Sequence, residues 1–190
     1  IKGSSQATEN ASTYPYFAGG TLSFEGFSGG EYDSNFILGK FSGNTIDNAG
    51  VDPELTGVLA GPGGMIFKGE GTTILSGENT YKGLSIIEEG TLEITNVNGL
   101  GSTDAGTRVE ESAVLRISVS GVQTPEGQGA INDAQINEEI ILAGGELDLN
   151  GNYIDLRKGV VLEGEGTNST IRVKKGSTEV FARSTISGDG

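Results

Sequence analysis

Cysteine, histidine and tryptophan are missing from this chain, and its 190 residues include one methionine and 4 prolines. Without cysteine there are no disulfides and no thiolate metal sites. Without histidine the commonest general base and the commonest neutral metal ligand are gone. Both absences suit a protein that crosses envelopes unfolded and works outside the cell. Positive charge is also scarce: 12 basic residues stand against 26 acidic ones, for a net charge of −14. That argues against nucleic-acid and anionic-membrane partners, which need a basic surface. No apolar run approaches the roughly 18 residues of a membrane span. Hydrophobic residues make up 34%, little for a compact globule but adequate for a narrow solenoid. No signal peptide is evident, and the start at Ile1 without an initiator Met reads as a processed or excised piece.

What the chain has in abundance is glycine, 33 residues, set between strand-sized pieces. The densest stretch runs GPGGMIFKGEGTTILSGENTYKGLSIIEEGTLEI over residues 61–94. Its apolar positions alternate, and no piece is long enough for an ordinary helix, so it predicts many short strands joined by tight turns. The same form recurs in GTLEI (90–94), AVLRI (113–117), GELDL (145–149) and STIRV (169–173). Such recurrence marks a solenoid. Period-2 alternation predicts that Leu92, Leu115 and Leu147 occupy equivalent inward positions, each followed two residues later by Ile94, Ile117 and Leu149; Ile171 and Val173 continue the series. Glycine and Asn suit corners with positive φ, which gives a reason for GPGG at 61–64, GEG at 69–71 and GEN at 77–79. At roughly 20–25 residues per rung the chain makes about eight rungs.

A longer repeat overlies the short one. Residues 18–26 (AGGTLSFEG) and 143–151 (AGGELDLNG) agree at five of nine positions, and Leu59–Gly63 answers to Ile186–Gly190 at nearly the same offset. Segments 18–63 and 143–190 therefore read as related modules within a β-helix spanning 18–190, with 1–17 an off-pattern cap or bridge. The second copy stops mid-module, so more polypeptide is expected beyond Gly190, or the N-terminal end of another copy against it.

Gly63-Gly64-Met65, Gly69-Glu70-Gly71-Thr72, Leu75-Ser76-Gly77-Glu78-Asn79-Thr80-Tyr81-Lys82-Gly83 and Gly90-Thr91-Leu92 form an ordered series. It resembles the autotransporter-associated β-strand repeat of bacterial type V secretion passenger domains, which reads GGL, GxGT, LSGxNTYxG and GTL. The match departs at Thr73-Ile74, where the family has Leu and then a polar residue. It also departs at Phe67, where Lys is common. The resemblance implies a right-handed parallel β-helix with little or no α-helix, on the outside of a Gram-negative-type cell. It transfers no catalytic residue.

Candidate chemistry is thin. Asn79 reads as a turn residue bonding backbone groups rather than a ligand contact, and Tyr81 as a cap on the core edge rather than a sugar platform. Tyr14, Tyr16, Phe17, Phe24 and Phe27 form an N-terminal aromatic cluster expected to cover an open end. A glycosidase needs two carboxylates about 5–10 Å apart. Glu88–Glu89 and Glu110–Glu111 face opposite ways along a strand, whereas Glu163 with Glu165, and Asp148 with Asn150, can share a face. Arg172, Lys174 and Lys175 lack the aspartate cluster of a Ca²⁺-dependent lyase. Gly29–Asp33 fails the spacing of a Ca²⁺-binding nonapeptide, leaving Ca²⁺ at acidic turns as an open option without a specific motif. Asn10-Ala11-Ser12 and Asn168-Ser169-Thr170 are sequons. The reading is a non-catalytic structural or adhesive extracellular or cell-surface segment with no catalytic, cofactor or metal residues. Its expected partners are adjacent modules or copies end to end, surface glycans, or a host or neighbour cell surface. A self-assembling fibre or matrix subunit is the alternative, and a polysaccharide-degrading β-helix enzyme the more remote one.

Overall fold

The structure, a computed structural model, describes residues 14–40, 43–119, 134–150, 154–164, 168–173 and 186–188. Among them there are 20 short strands and no helix. The strands wind into a parallel β-solenoid. One face is an eight-stranded sheet of Gly20–Ser23, Asn44–Asp47, Met65–Lys68, Ser85–Ile87, Thr107–Glu110, Ile140–Ala143, Val160–Leu162 and Ile186–Gly188. The second face is a seven-stranded sheet of Gly30–Tyr32, Pro53–Leu55, Thr72–Leu75, Thr91–Ile94, Val114–Ile117, Glu146–Asp148 and Thr170–Arg172. The third face carries two shorter ladders, Tyr16–Phe17 with Phe36–Leu38 and Leu59–Ala60, then Ala134–Ile136 with Ile154–Leu156. Complete turns number about six, so the eight rungs read from the sequence correspond to the strands of the longest face. At about 4.8 Å per rung that face is roughly 34 Å long.

Alternation decides which side chains enter the core. In the second sheet Leu92 pairs with Leu115, Leu115 with Leu147, and Leu147 with Ile171. The three leucines are fully buried, as the sequence pattern requires. In the long sheet the inward row runs Leu22, Ile46, Phe67, Ile87, Val109, Leu142 and Leu162. The departure at Thr73-Ile74 does not shift the register. Thr73 pairs with Leu92 and is buried, while Ile74 pairs with the outward Glu93. The buried hydroxyl is accommodated because Asn48 Nδ2 donates to Thr73 Oγ1 at 3.4 Å. Likewise Phe67 faces the core rather than the solvent a lysine would need, and Lys68 turns outward to Asp47.

The glycines of the motif divide into two physical types. Gly61 and Gly69 adopt φ of 114° and 100°, the left-handed turn conformation expected of them. Gly77 does not; its constraint is close approach, since a Cβ there would overlap the carbonyl oxygen of Gly57 one rung away.

Candidate functional site

The motif residues singled out in the sequence meet on the third face, where, among the described residues, no strand ladder runs between Ala60 and Ala134. Asn79 is buried there. Its Oδ1 accepts from Leu59 N at 2.8 Å and its Nδ2 donates to Gly99 O at 2.7 Å, each 20 residues away. One side chain thus joins the rung before it to the rung after it, beside backbone bonds from Thr80 N to Leu59 O and from Ser102 N to Tyr81 O. Asn96 Nδ2 adds a bond to Ser76 O at 3.2 Å. Asn44 and Asn48 do comparable work near the long sheet. Asn44 accepts from Gly19 N and donates to Gly64 O; Asn48 Oδ1 accepts from both Gly50 N and Gly71 N. Their period in the sequence is irregular, which is why only Asn79 stood out.

Tyr81 is fully buried rather than set at the core edge, and its hydroxyl lies 2.6 Å from Ser85 Oγ. Burial raises its phenol above the ordinary value, with the Ser85 bond opposing and Glu138 adding to the rise. The ring has no face open to a sugar.

Glu138 escaped the sequence reading. It is buried, and its Oε1 accepts from Thr107 Oγ1 at 2.8 Å. Burial pushes its carboxyl up to about 7, against the pull of Thr107 and Lys158. The signal was available: Ile136, Glu138 and Ile140 share one phase of a period-2 pattern, and all three are buried.

The described members of the carboxylate pairs are either exposed or engaged with other side chains and turns. Glu88 and Glu89 are both exposed. Glu110 is held by Arg108 at 2.6 Å, and Arg108 also reaches Glu163. These bonds, that to Glu163 first, raise the Arg108 pKa. Asp148 Oδ1 accepts from Asn150 N at 2.9 Å, closing a turn with Asn150 at φ 47°, while its Oδ2 accepts from Arg116. Arg116 also meets Glu93, and Arg172 meets Glu146 at 2.7 Å. Glu165, Lys174, Lys175 and Asn10 lie outside the described residues. Asn168 is exposed, but Ser169 Oγ is engaged with Leu142 O and Gly144 N. Among the described residues no three acidic side chains converge on a possible metal position.

The aromatic cluster has a different membership from the one expected. Phe24, Phe27 and Tyr32 stack edge to face, with Phe24 and Tyr32 centred 4.7 Å apart, and Phe17 meets Phe36. Tyr14 and Tyr16 stay exposed. Leu22, Phe24, Phe27, Tyr32, Phe36 and Leu55 line an apolar pocket of about 130 Å³ at the N-terminal end of the core. Strands Gly20–Ser23 and Gly30–Tyr32 are the terminal members of their sheets there.

With the coil and its asparagine pegs in place, a family match falls on the stretch that holds Asn79. Residues 68–94 match the passenger-associated transport repeat. The chain carries an autotransporter passenger repeat. It is similar to the adhesin BmaC autotransporter of Brucella suis, 43% identical over 67 residues, covering 35% of this chain and 2% of that protein. It is also similar to the autotransporter lipoprotein NalP of Neisseria meningitidis serogroup B, 26% identical over 136 residues, covering 70% of this chain and 11% of that protein. The chain thus spans a small fraction of the curated relatives it matches. No solved structure matches it. These matches make it a secreted passenger segment, placed at the outer cell surface or beyond. Among the described residues no helix is long and apolar enough to cross a membrane, which says nothing of a β-barrel.

Proposed function

We propose that this passenger segment is non-catalytic and serves as a structural or adhesive rod. The observation that supports this best is the role of the repeat's most specific residues. Gly77 fits the close approach of two rungs, Asn79 bonds one rung to the next, and Tyr81 fills the core. The repeat is therefore a device for stacking turns, and stacking turns makes surface. Of the acidic side chains placed by the sequence to share a face, Glu163 is tied to Arg108 and Asp148 to Arg116 and the Asn150 turn. The name of BmaC as an adhesin points the same way for a related segment.

Adhesion is tested by displaying residues 1–190 on a non-adherent bacterium and counting cells retained on epithelial monolayers and on glycan-coated surfaces. Retention above a strain displaying an unrelated rod supports the adhesive role; equal retention leaves the rod as a spacer. Incubation with acidic and neutral polysaccharides should release no oligosaccharides. Reproducible cleavage abolished by mutating one nearby carboxylate pair would overturn the non-catalytic reading.

A second reading is favoured by the N-terminal end. Among the described residues its terminal strands have no neighbour on their outer side and lie beside an apolar pocket, the combination that recruits another strand. Axial contact with an adjacent module, or with another copy in a fibre or matrix, would cover it.

A further inference from the structure

The outward side of the long sheet carries a row that the rod itself does not use. Ile66 pairs with Ile86, Ile86 with Arg108, Arg108 with Ile141, and Ile141 with Val161. In four of these strands the residues on either side of the row are buried, so the row points away from the core. Each member is half-buried, as expected for a side chain flanked by stacked neighbours and open on one side. Five rungs at about 4.8 Å give a stripe about 19 Å long, the length of about 13 helical residues. Arg108 interrupts the row only at its tip, since its guanidinium is drawn aside to Glu110 and Glu163. Four β-branched residues in register on the solvent side are unusual in a chain this acidic.

One edge of the stripe fixes the charge of whatever lies on it. Asp47, Lys68, Glu88, Glu110 and Glu163 follow the row on the same side. Lys68 is paired with Asp47 and Arg108 with Glu110 and Glu163, so both cations are already engaged. Glu88 is exposed between them, and Glu89 and Glu111 lie just beyond, also exposed. We propose that this face is a docking surface for an amphipathic polypeptide segment with an aliphatic face and a basic edge. Charge complementarity selects that occupant. A second copy would set one acidic rim against another, in a molecule of net charge −14. A glycan would find hydrocarbon where it needs hydrogen-bond partners. The stripe belongs to the folded rod, and the inference stands whether or not the rod is an adhesin.

The test uses residues 1–190 and a fluorescein-labelled 14-residue Leu/Lys peptide patterned as an amphipathic helix, followed by fluorescence anisotropy. The patterned peptide should bind at least tenfold tighter than a scrambled peptide of the same composition. The double variant Ile86→Ser/Ile141→Ser should lose at least tenfold while keeping its urea midpoint. Glu88→Lys should weaken the Leu/Lys peptide severalfold and strengthen a matched Leu/Glu peptide. Equal binding of patterned and scrambled peptides overturns the proposal, as does unchanged binding by a folded double variant. If the double variant fails to fold, Glu88→Lys decides, and an unchanged preference between the two peptides overturns it. Sedimentation showing a dimer that Ile86→Ser/Ile141→Ser dissolves would reassign the stripe to self-association and equally overturn it.

Discussion

The two long faces of the rod have the same inside and different outsides. Inward, both present aliphatic rows, interrupted by Phe67 in the long sheet and Thr73 in the second, because every rung must close the same narrow core. Outward, the second sheet carries Ile74, Glu93, Arg116, Asp148 and Arg172 in register, with Arg116 bridging to Glu93 and Asp148, while the long sheet carries Ile66, Ile86, Arg108, Ile141 and Val161. The core therefore constrains only every second residue of a strand. The other half is free to differ between faces without altering the coil.

The comparison breaks most sharply if inward and outward positions prove equivalent. Leu92 and its neighbour Glu93 differ only in direction, so Leu92→Asp should cost more than about 4 kcal/mol in urea unfolding, a buried unpaired charge being among the costliest changes. A tolerated substitution would undo the register of the second sheet. The next largest effect tests the third face, which has pegs in place of a ladder. Asn79→Ala leaves Leu59 N and Gly99 O without their partner and should cost about 2–4 kcal/mol by the same measurement. A loss below about 0.5 kcal/mol would mean that the pegs are incidental.

Glu138 is the inward carboxylate that departs from the rule, and pH reports on it. Its folded-state pKa lies near 7, above the ordinary 4.5, so between those values the folded state holds more protons than the unfolded one. Its contribution to stability is full below about pH 4.5 and is lost as pH rises through about 7, a change on the order of 1–3 kcal/mol. Subtracting the pH profile of Glu138→Gln from that of the parent should isolate this slope; parallel profiles would show that the carboxyl is not held neutral. The smallest effect belongs to the charged outer ladder. Arg116→Ala should cost about 1 kcal/mol, and less in high salt, because these pairs are only partly buried and remain open to screening. A salt-independent loss of several kcal/mol would make that face structural after all.

Much of this was legible in the residues. Glycine-bounded alternation located Leu92, Leu115 and Leu147 on one inward row, since a period of 2 is a local property. The role of Asn79 was readable in kind, as a turn residue bonding backbone, but not its two partners. Those lie 20 residues away in either direction, whereas the turn from Val109 to Leu142 takes 33. Unequal turns hide cross-rung neighbours from any fixed-period reading. The long repeat illustrates this: Gly20–Ser23 lies in the long sheet, while its sequence counterpart at Glu146–Asp148 lies in the second. The aliphatic stripe was invisible for the same reason, because Ile66, Ile86, Ile141 and Val161 become neighbours only once the register is known. Tyr32 and Phe36 were missed at the aromatic end because the cluster forms around the coil and not along the chain.

The third face has a mechanical meaning. Hydrogen bonds between rungs run along the rod, so a pull on its two ends loads every junction in series with the same force. At three of the junctions two sheet ladders share that load with a third. Among the described residues between Ala60 and Ala134, the third share falls to the side chains of Asn79 and Asn96 and to separate backbone bonds, such as those from Thr80 N to Leu59 O, Lys82 N to Gly61 O and Ser102 N to Tyr81 O. That is where the rod should part first under tension, its limit set by the irregular turn bonds of that stretch rather than by the length of the coil.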